Sequence, residues 1–178
     1  DPTESRGLGD VYKRQAAMKH YGYEGLAILV SERGHYSLKK AADVLGLGQE
    51  GLVAIKTDGA NRIVPSDLRA KIAELEAQKI KPIAVVGVAG TTETGTIDPL
   101  EEIAQVCKQH DCHFHVDAAW GGATLMSNHY RKLLAGVELA DSVTIDAHKQ
   151  LYIPMGAGMV LFKDPDAMKS IEHHAQYI

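Results

Sequence analysis

Cysteine is scarce in this sequence, since Cys107 and Cys112 are the only two in 178 residues. Their spacing forms no CxxC motif, and no nearby pair of histidines completes a zinc-binding pattern. We therefore predict two reduced thiols, without a disulfide framework and without a zinc site.

Long apolar runs and an excess of positive charge are also missing. No apolar stretch approaches the roughly 18 residues that a membrane span needs, and no signal peptide is visible. The net charge is −4 and the pI is about 6.1, with no basic stripe for nucleic acid and no polybasic segment for a membrane surface. Neither GxGxxG nor a P-loop occurs, so a Rossmann dinucleotide site is not indicated. The sequence predicts a cytoplasmic protein with no nucleic acid and no membrane as partners.

The composition, with 45% hydrophobic and 24% charged residues, is that of one ordinary globular domain. From Leu26 onward, short apolar runs alternate with amphipathic segments. This alternation predicts an α/β fold in which crossover helices join parallel strands. The predicted strands are residues 26–31, 52–56, 83–88, 113–116, 143–145 and 157–162.

Capping residues and prolines predict where the helices begin. The predicted starts are Ser37 as an N-cap, Ser66 or Asp67 after Pro65, Pro99 as a first helical residue, and Pro165. The second of these helices carries Leu68, Ile72 and Leu75 on one face, which predicts its core side. One more helix is expected between residue 117 and the strand at residue 143.

The first 15 residues, DPTESRGLGDVYKRQ, differ in character from the rest. They are polar and interrupted by glycine, and DVYKRQ resembles the translation of a transposase end sequence used in preparing sequencing libraries. We interpret residues 1–15 as a non-native artefact leader and residues 16–178 as the domain. The alternative is a genuine disordered N-terminus.

A lysine and an aspartate stand at the ends of two predicted strands. Lys149 lies between the strands at 143–145 and 157–162, and a buried lysine there can act as a nucleophile. Asp117 follows HFHV and precedes the small residues AAWGG, which would leave room for a flat ring. An ionised aspartate can keep a pyridine nitrogen protonated. Taken alone, each is more often an ordinary residue, a solvated loop lysine or a loop or capping aspartate; together they favour a site in which Lys149 holds pyridoxal phosphate (PLP) as a Schiff base.

Three motifs in this order, AGTTETGTIDP, HVDAAWGG and DSVTIDAHK, resemble the PLP-dependent group II amino acid decarboxylases. The resemblance implies fold type I, the aspartate aminotransferase-like fold. The chain would form the central part of its large PLP-binding domain, a mostly parallel sheet with helices on both faces. The segment TIDAHKQLYIPMGAGMVLFKDP is most similar to the acidic amino acid branch, the bacterial aspartate 1-decarboxylases often labelled glutamate decarboxylase.

The resemblance also implies roles for six residues. Lys149 would hold the cofactor, Asp117 would bind the ring nitrogen and His35 would stack on the ring. The remaining three are Ala119 on the other ring face, Thr92 by the 3-hydroxyl and His148 near the phosphate. Many relatives have asparagine where Asp146 stands, and a carboxylate would repel a phosphate, so no phosphate contact is assigned to it.

The activity that the resemblance implies is α-decarboxylation of an acidic amino acid, either L-aspartate to β-alanine or L-glutamate to GABA. An aromatic or tyrosine decarboxylase, another fold type I lyase, and a non-catalytic α/β domain are the alternatives. The resemblance further implies a homodimer at full length, with the phosphate-cradling loop upstream of this chain and Tyr177 at the start of a mobile loop. The chain alone is expected to be inactive.

Overall fold

The computed structural model describes residues 6–171, with side chains from residue 14 to 169. The helices are α1 (Arg6–Tyr21), α2 (Ser37–Val44), α3 (Pro65–Ala77) and α4 (Leu100–Gln109). The strands are β1 (Gly25–Ser31), β2 (Leu52–Ile55), β3 (Ile80–Val88), β4 (His113–Asp117), β5 (Ser142–Asp146) and β6 (Gly158–Phe162). Short 3-10 helices cover Gln49–Gly51, Gly121–Met126, Arg131–Leu134, Val137–Leu139 and Ala167–Ile171. None of the described helices has the length and apolar character that crossing a bilayer requires.

The six strands form one sheet in the order β2-β1-β3-β4-β5-β6. All neighbours are parallel except β5 and β6, which are antiparallel. The predicted mostly parallel α/β sheet is therefore confirmed. The chain travels in one direction from β1 to β2 and in the other from β2 through β3 to β5, so the strand order reverses between β1 and β3.

The helices lie on both faces of the sheet because of this reversal. Crossovers between parallel strands are right-handed, so α2 falls on the opposite face from α3 and α4. The face under α3 and α4 is the apolar core, in which Phe114, Ile72 and Ile103 are almost fully buried. Burying each such side chain contributes up to about 1.5–3 kcal/mol. The predicted core residues of α3 are confirmed, since Leu68, Ile72 and Leu75 are all buried.

Three predicted helix starts are shifted, and after the fourth, Pro165, the described residues form the 3-10 helix Ala167–Ile171. Ser37 is the first residue of α2 and not its N-cap, because Tyr36 occupies that position without a side-chain capping bond. Pro99 is the residue before α4, which begins at Leu100. The α3 helix begins at Pro65, one residue before the predicted start, because the fixed φ of proline suits a first helical turn.

The connection from β4 to β5 contains three 3-10 segments in place of the predicted α-helix. Gly121 and Gly122 begin it, and both backbones lie so close to neighbouring elements that a regular helix with larger residues would not fit there. Cys107 and Cys112 are buried and form no disulfide. The α1 helix runs across the predicted junction at residue 15, and the non-native origin of residues 1–15 stays a prediction. The predicted role of Tyr177 falls outside the described residues.

Candidate active site

A cavity of about 300 Å³ lies at the C-terminal ends of β1, β3, β4 and β5. In open α/β sheets, ligands bind at this edge and at the point where the strand order reverses. Here that point lies beyond the C-terminal ends of the paired strands β1 and β3. Each of the four strands sends a loop into the cavity, and five of the six predicted residues line it: His35, Thr92, Asp117, Ala119 and Lys149.

The loop after β1 brings Arg33 and His35 to the cavity. The backbone N–H of Ser37 donates to His35 Nδ1 at 3.3 Å, and the Ser37 hydroxyl lies 2.8 Å from the same nitrogen. Because a backbone N–H can only donate, Nδ1 is unprotonated and the ring hydrogen of the neutral side chain is on Nε2. Ser37 therefore orients the His35 ring. The prediction that Ser37 is an N-cap did not include this role.

The loop after β3 carries Gly90 and Thr92 into the cavity. Thr91 is buried and its hydroxyl serves the turn itself, with Thr94 Oγ1 at 2.7 Å and the N–H of Thr96 at 3.1 Å. Thr92, in contrast, is exposed at the cavity wall. The turn thus uses one of its two adjacent threonines for structure and leaves the other available to a ligand.

Asp98 fixes the base of this loop and is not among the residues that the sequence singled out. Its carboxylate accepts hydrogen bonds from the N–H groups of Ile63 at 2.7 Å and Val88 at 2.8 Å, although the residue is only 4% exposed. Burial raises the pKa of Asp98, and the two backbone hydrogen bonds oppose that rise. The sequence signal that could have found it is a lone acid directly before proline after a buried strand.

The loop after β4 places Asp117 at the cavity floor, with Ala119 and Trp120 beside it. The N–H of Ala119 donates to Asp117 Oδ1 at 3.1 Å, which holds the carboxylate in place. Gly121 is not a lining residue; its missing side chain leaves space for Ala89 O, which would lie 2.2 Å from an added Cβ. Gly122 makes the same allowance for Ile145. The two glycines therefore serve loop packing, whereas the sequence had suggested that they make room for a ring.

The turn after β5 carries Lys149 and Asp146, both on the cavity wall. Lys149 Nζ lies 2.9 Å from Asp146 Oδ2. The prediction that Lys149 lies between two strands is confirmed, because β5 and β6 are antiparallel neighbours on either side of it. Asp146, which sequence reasoning left without a role, is the ion-pair partner of the lysine.

His148 is the one predicted residue that does not line the cavity. Its Nδ1 lies 3.1 Å from the carbonyl oxygen of Ala157 and donates to it, since a carbonyl can only accept. Its Nε2 lies 4.0 Å from Asp146 Oδ2. The side chain thus ties the lysine turn to the residue before β6.

His115 and Thr144 are cavity residues that sequence reasoning missed. They lie two residues from Asp117 and Asp146 on β4 and β5, so they point to the same face of the sheet. Burial lowers the pKa of His115, and the nearby Asp117 partly opposes this shift. The period-two spacing HxD on β4 was the available signal.

Comparison with known proteins identifies the family. The sequence profile described as "Pyridoxal-dependent decarboxylase conserved domain" matches residues 10–178. The chain belongs to this family. The chain is 71% identical over 163 residues to an aspartate 1-decarboxylase of Aliivibrio fischeri, and the match covers 92% of this chain and 30% of the relative. It is 40% identical over 156 residues to the acidic amino acid decarboxylase GADL1 of Homo sapiens, covering 86% and 30%.

Solved structures agree with this assignment. The mouse CSAD structure in apo form has a TM-score of 0.83 at 37% identity, covering 94% of this chain and 36% of that chain. The Oryza sativa TDC structure with PLP and tryptamine has a TM-score of 0.85 at 24% identity, covering 96% and 37%, and shows the fold alone. The chain thus spans about 30% of the length of these curated relatives.

The side chains around the cavity fit PLP, the cofactor of this family. They offer a primary amine on Lys149, a carboxylate on Asp117, a hydroxyl on Thr92 and an aromatic ring on His35. These groups suit an aldehyde, a pyridine nitrogen, a phenolic oxygen and a flat ring face respectively. The cavity volume of about 300 Å³ falls at the lower end of the range for small-molecule pockets.

Proposed function

We propose that the full-length protein containing this chain uses PLP to remove the α-carboxylate of an acidic amino acid. The preferred substrate in this proposal is L-aspartate, which gives β-alanine and CO₂, and the second is L-glutamate, which gives GABA. The observation that carries the proposal is the meeting of Lys149 and Asp117 in one cavity at the strand-order reversal. The 71% identity to an aspartate 1-decarboxylase supports aspartate.

Each lining residue has a defined task in this proposal. Lys149 provides the amine that attaches the cofactor, and the 2.9 Å contact with Asp146 keeps that amine in the cavity beforehand. Asp117, held by the N–H of Ala119, supplies the negative charge that a protonated ring nitrogen needs. When bound, PLP supplies an electron sink for the pair left on Cα as CO₂ departs.

The remaining lining residues orient the cofactor. His35, whose Nδ1 is fixed by Ser37, presents its ring as a stacking surface. Ala119 would support the other face, and the Thr92 hydroxyl would bind the ring's 3-hydroxyl. His148 would act on the cofactor only through the turn that it stabilises, because it does not line the cavity.

The substrate assay tests this proposal directly. The full-length protein with PLP is incubated separately with aspartate, glutamate, tyrosine and DOPA, and the released amines are quantified. β-Alanine as the fastest product supports the proposal, whereas tyramine or dopamine would assign the protein to the aromatic branch. Absence of any amine from the parent protein would favour a non-catalytic domain. Lys149→Ala should abolish product, and Lys163→Ala, outside the cavity, is the matched control.

We further propose that the full-length protein is a homodimer. Large apolar side chains in the turn after Lys149, Tyr152 at 93% and Met155 at 88% exposure, suggest that another surface covers this region. Light scattering coupled to size-exclusion chromatography measures the mass. A monomeric mass at micromolar concentration would contradict the dimer.

A further inference from the structure

A row of polar side chains crosses from β4 to β5 on the cavity face of the sheet. His113, His115 and Asp117 alternate along β4 and therefore share one face. The strand register places His115 opposite Ser142 and Asp117 opposite Thr144. Ser142 is only 4% exposed, so its hydroxyl is a buried polar group that needs partners.

Hydrogen bonds join the side chains of this row into one hydrogen-bond network. Ser142 Oγ lies 2.7 Å from His113 Nε2 and 2.8 Å from His115 Nδ1. The other nitrogen of His115, Nε2, lies 3.3 Å from Thr144 Oγ1. His113 is exposed at one end, and both His115 and Thr144 line the cavity at the other. The hydrogen-bond network therefore runs from the protein surface to the cavity wall beside Asp117.

The single hydrogen of the Ser142 hydroxyl couples the two rings. Ser142 can donate to only one of them, and when it does so it accepts from the other. If His113 Nε2–H donates to Ser142, then Ser142 donates to His115 Nδ1 and His115 Nε2–H points to Thr144. In the opposite arrangement, His115 Nδ1–H donates to Ser142, Ser142 donates to His113 Nε2, and Thr144 donates to His115 Nε2.

Protonation of His113 selects between these arrangements. A protonated imidazole carries hydrogens on both nitrogens, so His113 must then donate to Ser142, which excludes the second arrangement. Of the two ring nitrogens that contact Ser142 Oγ, His115 Nδ1 is then the only one that can accept the hydroxyl hydrogen, and this favours the first arrangement. The charge state of a surface histidine thus favours one tautomer of His115 at the cavity over the other. Burial lowers the pKa of His115, which favours a neutral ring beside the Asp117 carboxylate, where a second cation would compete for that charge.

We propose that His115 is a positioning residue of the PLP site, held by Ser142 and Thr144 beside Asp117, and that His113 sets its hydrogen-bond direction through Ser142. This inference rests on the proposed function, because it assumes that PLP occupies the cavity. The neutral ring leaves the full negative charge of Asp117 to the cofactor's ring nitrogen. The hydrogen-bond network makes the interaction between Asp117 and the ring nitrogen responsive to the protonation of His113.

The test is the pH profile of PLP binding by the full-length protein. Equilibrium dialysis gives the PLP dissociation constant from about pH 5.5 to 8.5, the range in which histidines titrate. Arg33, His35, Asp146 and Lys149 also face the cavity and contribute to the parent profile. The readout is therefore the difference between the parent profile and that of each variant, with thermal unfolding midpoints as a check of folding.

Two variants interrupt the hydrogen-bond network at different points. Ser142→Ala removes the coupling hydroxyl and should weaken PLP binding about three- to tenfold, the effect of one lost hydrogen bond, and change the shape of the pH profile. His113→Gln, at an exposed position, removes the titrating group and should flatten the same part of the profile. His129→Gln, an exposed histidine outside the cavity, should reproduce the parent profile.

The outcomes separate this inference from the proposed function. A changed pH profile in both Ser142→Ala and His113→Gln, with the parent profile retained in His129→Gln, supports the proposed role of the hydrogen-bond network. Profiles of Ser142→Ala and His113→Gln that overlay the parent would overturn it. If Ser142→Ala does not fold, His113→Gln alone decides. A parent protein that binds no PLP at any pH would overturn the proposed function instead.

Discussion

Asp98 provides the sharpest test of how the cavity is built. Its two carboxylate oxygens accept one hydrogen bond each, Oδ1 from the N–H of Ile63 and Oδ2 from the N–H of Val88. Asp98→Asn replaces one acceptor oxygen by an NH₂ group, which has no acceptor to offer. Whichever way the amide is turned, one of the two backbone N–H groups faces a donor and loses its partner.

The cost follows from the number of unpaired groups. One buried N–H without a partner costs about 1–3 kcal/mol, so Asp98→Asn should destabilise the β3 end by that amount and Asp98→Ala by about 2–6 kcal/mol. Burial raises the pKa of Asp98 above its usual value of 3.8. A raised folded-state pKa contributes stability that is present below the unfolded pKa and is lost as the pH rises through the folded pKa. The deficit of Asp98→Asn relative to parent should therefore be larger at about pH 4 than at about pH 8.

Hydrogen exchange at the peptides containing Val88 and Ile63 measures this local stability. A cost of about 1–3 kcal/mol predicts exchange about 5- to 150-fold faster in Asp98→Asn than in the parent. Asp111→Asn is the matched control, the same chemical change on a fully exposed side chain, and should leave these peptides unchanged. Exchange rates within twofold of the parent in both Asp98→Asn and Asp98→Ala would refute the reasoning.

Three further predictions concern the cavity. Borohydride treatment of the PLP-loaded full-length protein should leave the reduced cofactor on Lys149, as read by peptide mass spectrometry, and an adduct on any other lysine would end that assignment. Asp117→Asn should lower turnover by at least tenfold, more than about 1.4 kcal/mol, while PLP is retained; steady-state kinetics with a cofactor assay checks both, and activity within threefold of parent counts against the charge role. Gly121→Ala should lower the unfolding temperature strongly because its Cβ would lie 2.2 Å from Ala89 O, whereas Gly59→Ala, with no atom within 4 Å, should be close to neutral; equal unfolding temperatures would contradict this packing.

The sequence predicted the sheet well because its signals are local. Apolar runs such as IAVVGV mark strands by themselves, and the α/β alternation then implies parallel pairing. The helix starts at Ser37 and Pro99 were shifted, because a serine hydroxyl or a proline ring is compatible with two adjacent positions. The absence of an α-helix between β4 and β5 depends on contacts of Gly121 with Ala89, which lie in different loops and leave no trace in a local pattern.

The sequence predicted about as much of the candidate site as of the fold. Lys149, Asp117 and His35 carry motif signals, and the structure brings them to one cavity, while their roles toward the cofactor stay predictions. His148 was placed near the phosphate because it adjoins Lys149, yet adjacent residues diverge and it contacts Ala157 instead. The Ser142–His115 contact could not be foreseen, since it depends on the register between two strands. The dimer and the cytoplasmic location also stay predictions.

The close approach of Gly90 and Gly121 has a consequence for how this pocket can be altered. A Cβ on Gly90, whose φ is +102°, would lie 3.0 Å from the backbone of Gly121, and Gly121 N–H donates to Ala89 O at 3.1 Å. The loops that carry Thr92 and Asp117 are thus joined through main-chain atoms. The relative placement of these two residues is therefore insensitive to side-chain substitution nearby. An engineer who wishes to change the size of the pocket without disturbing its polar geometry should vary Ala119 and Trp120, whose side chains line the wall, and leave both glycines untouched.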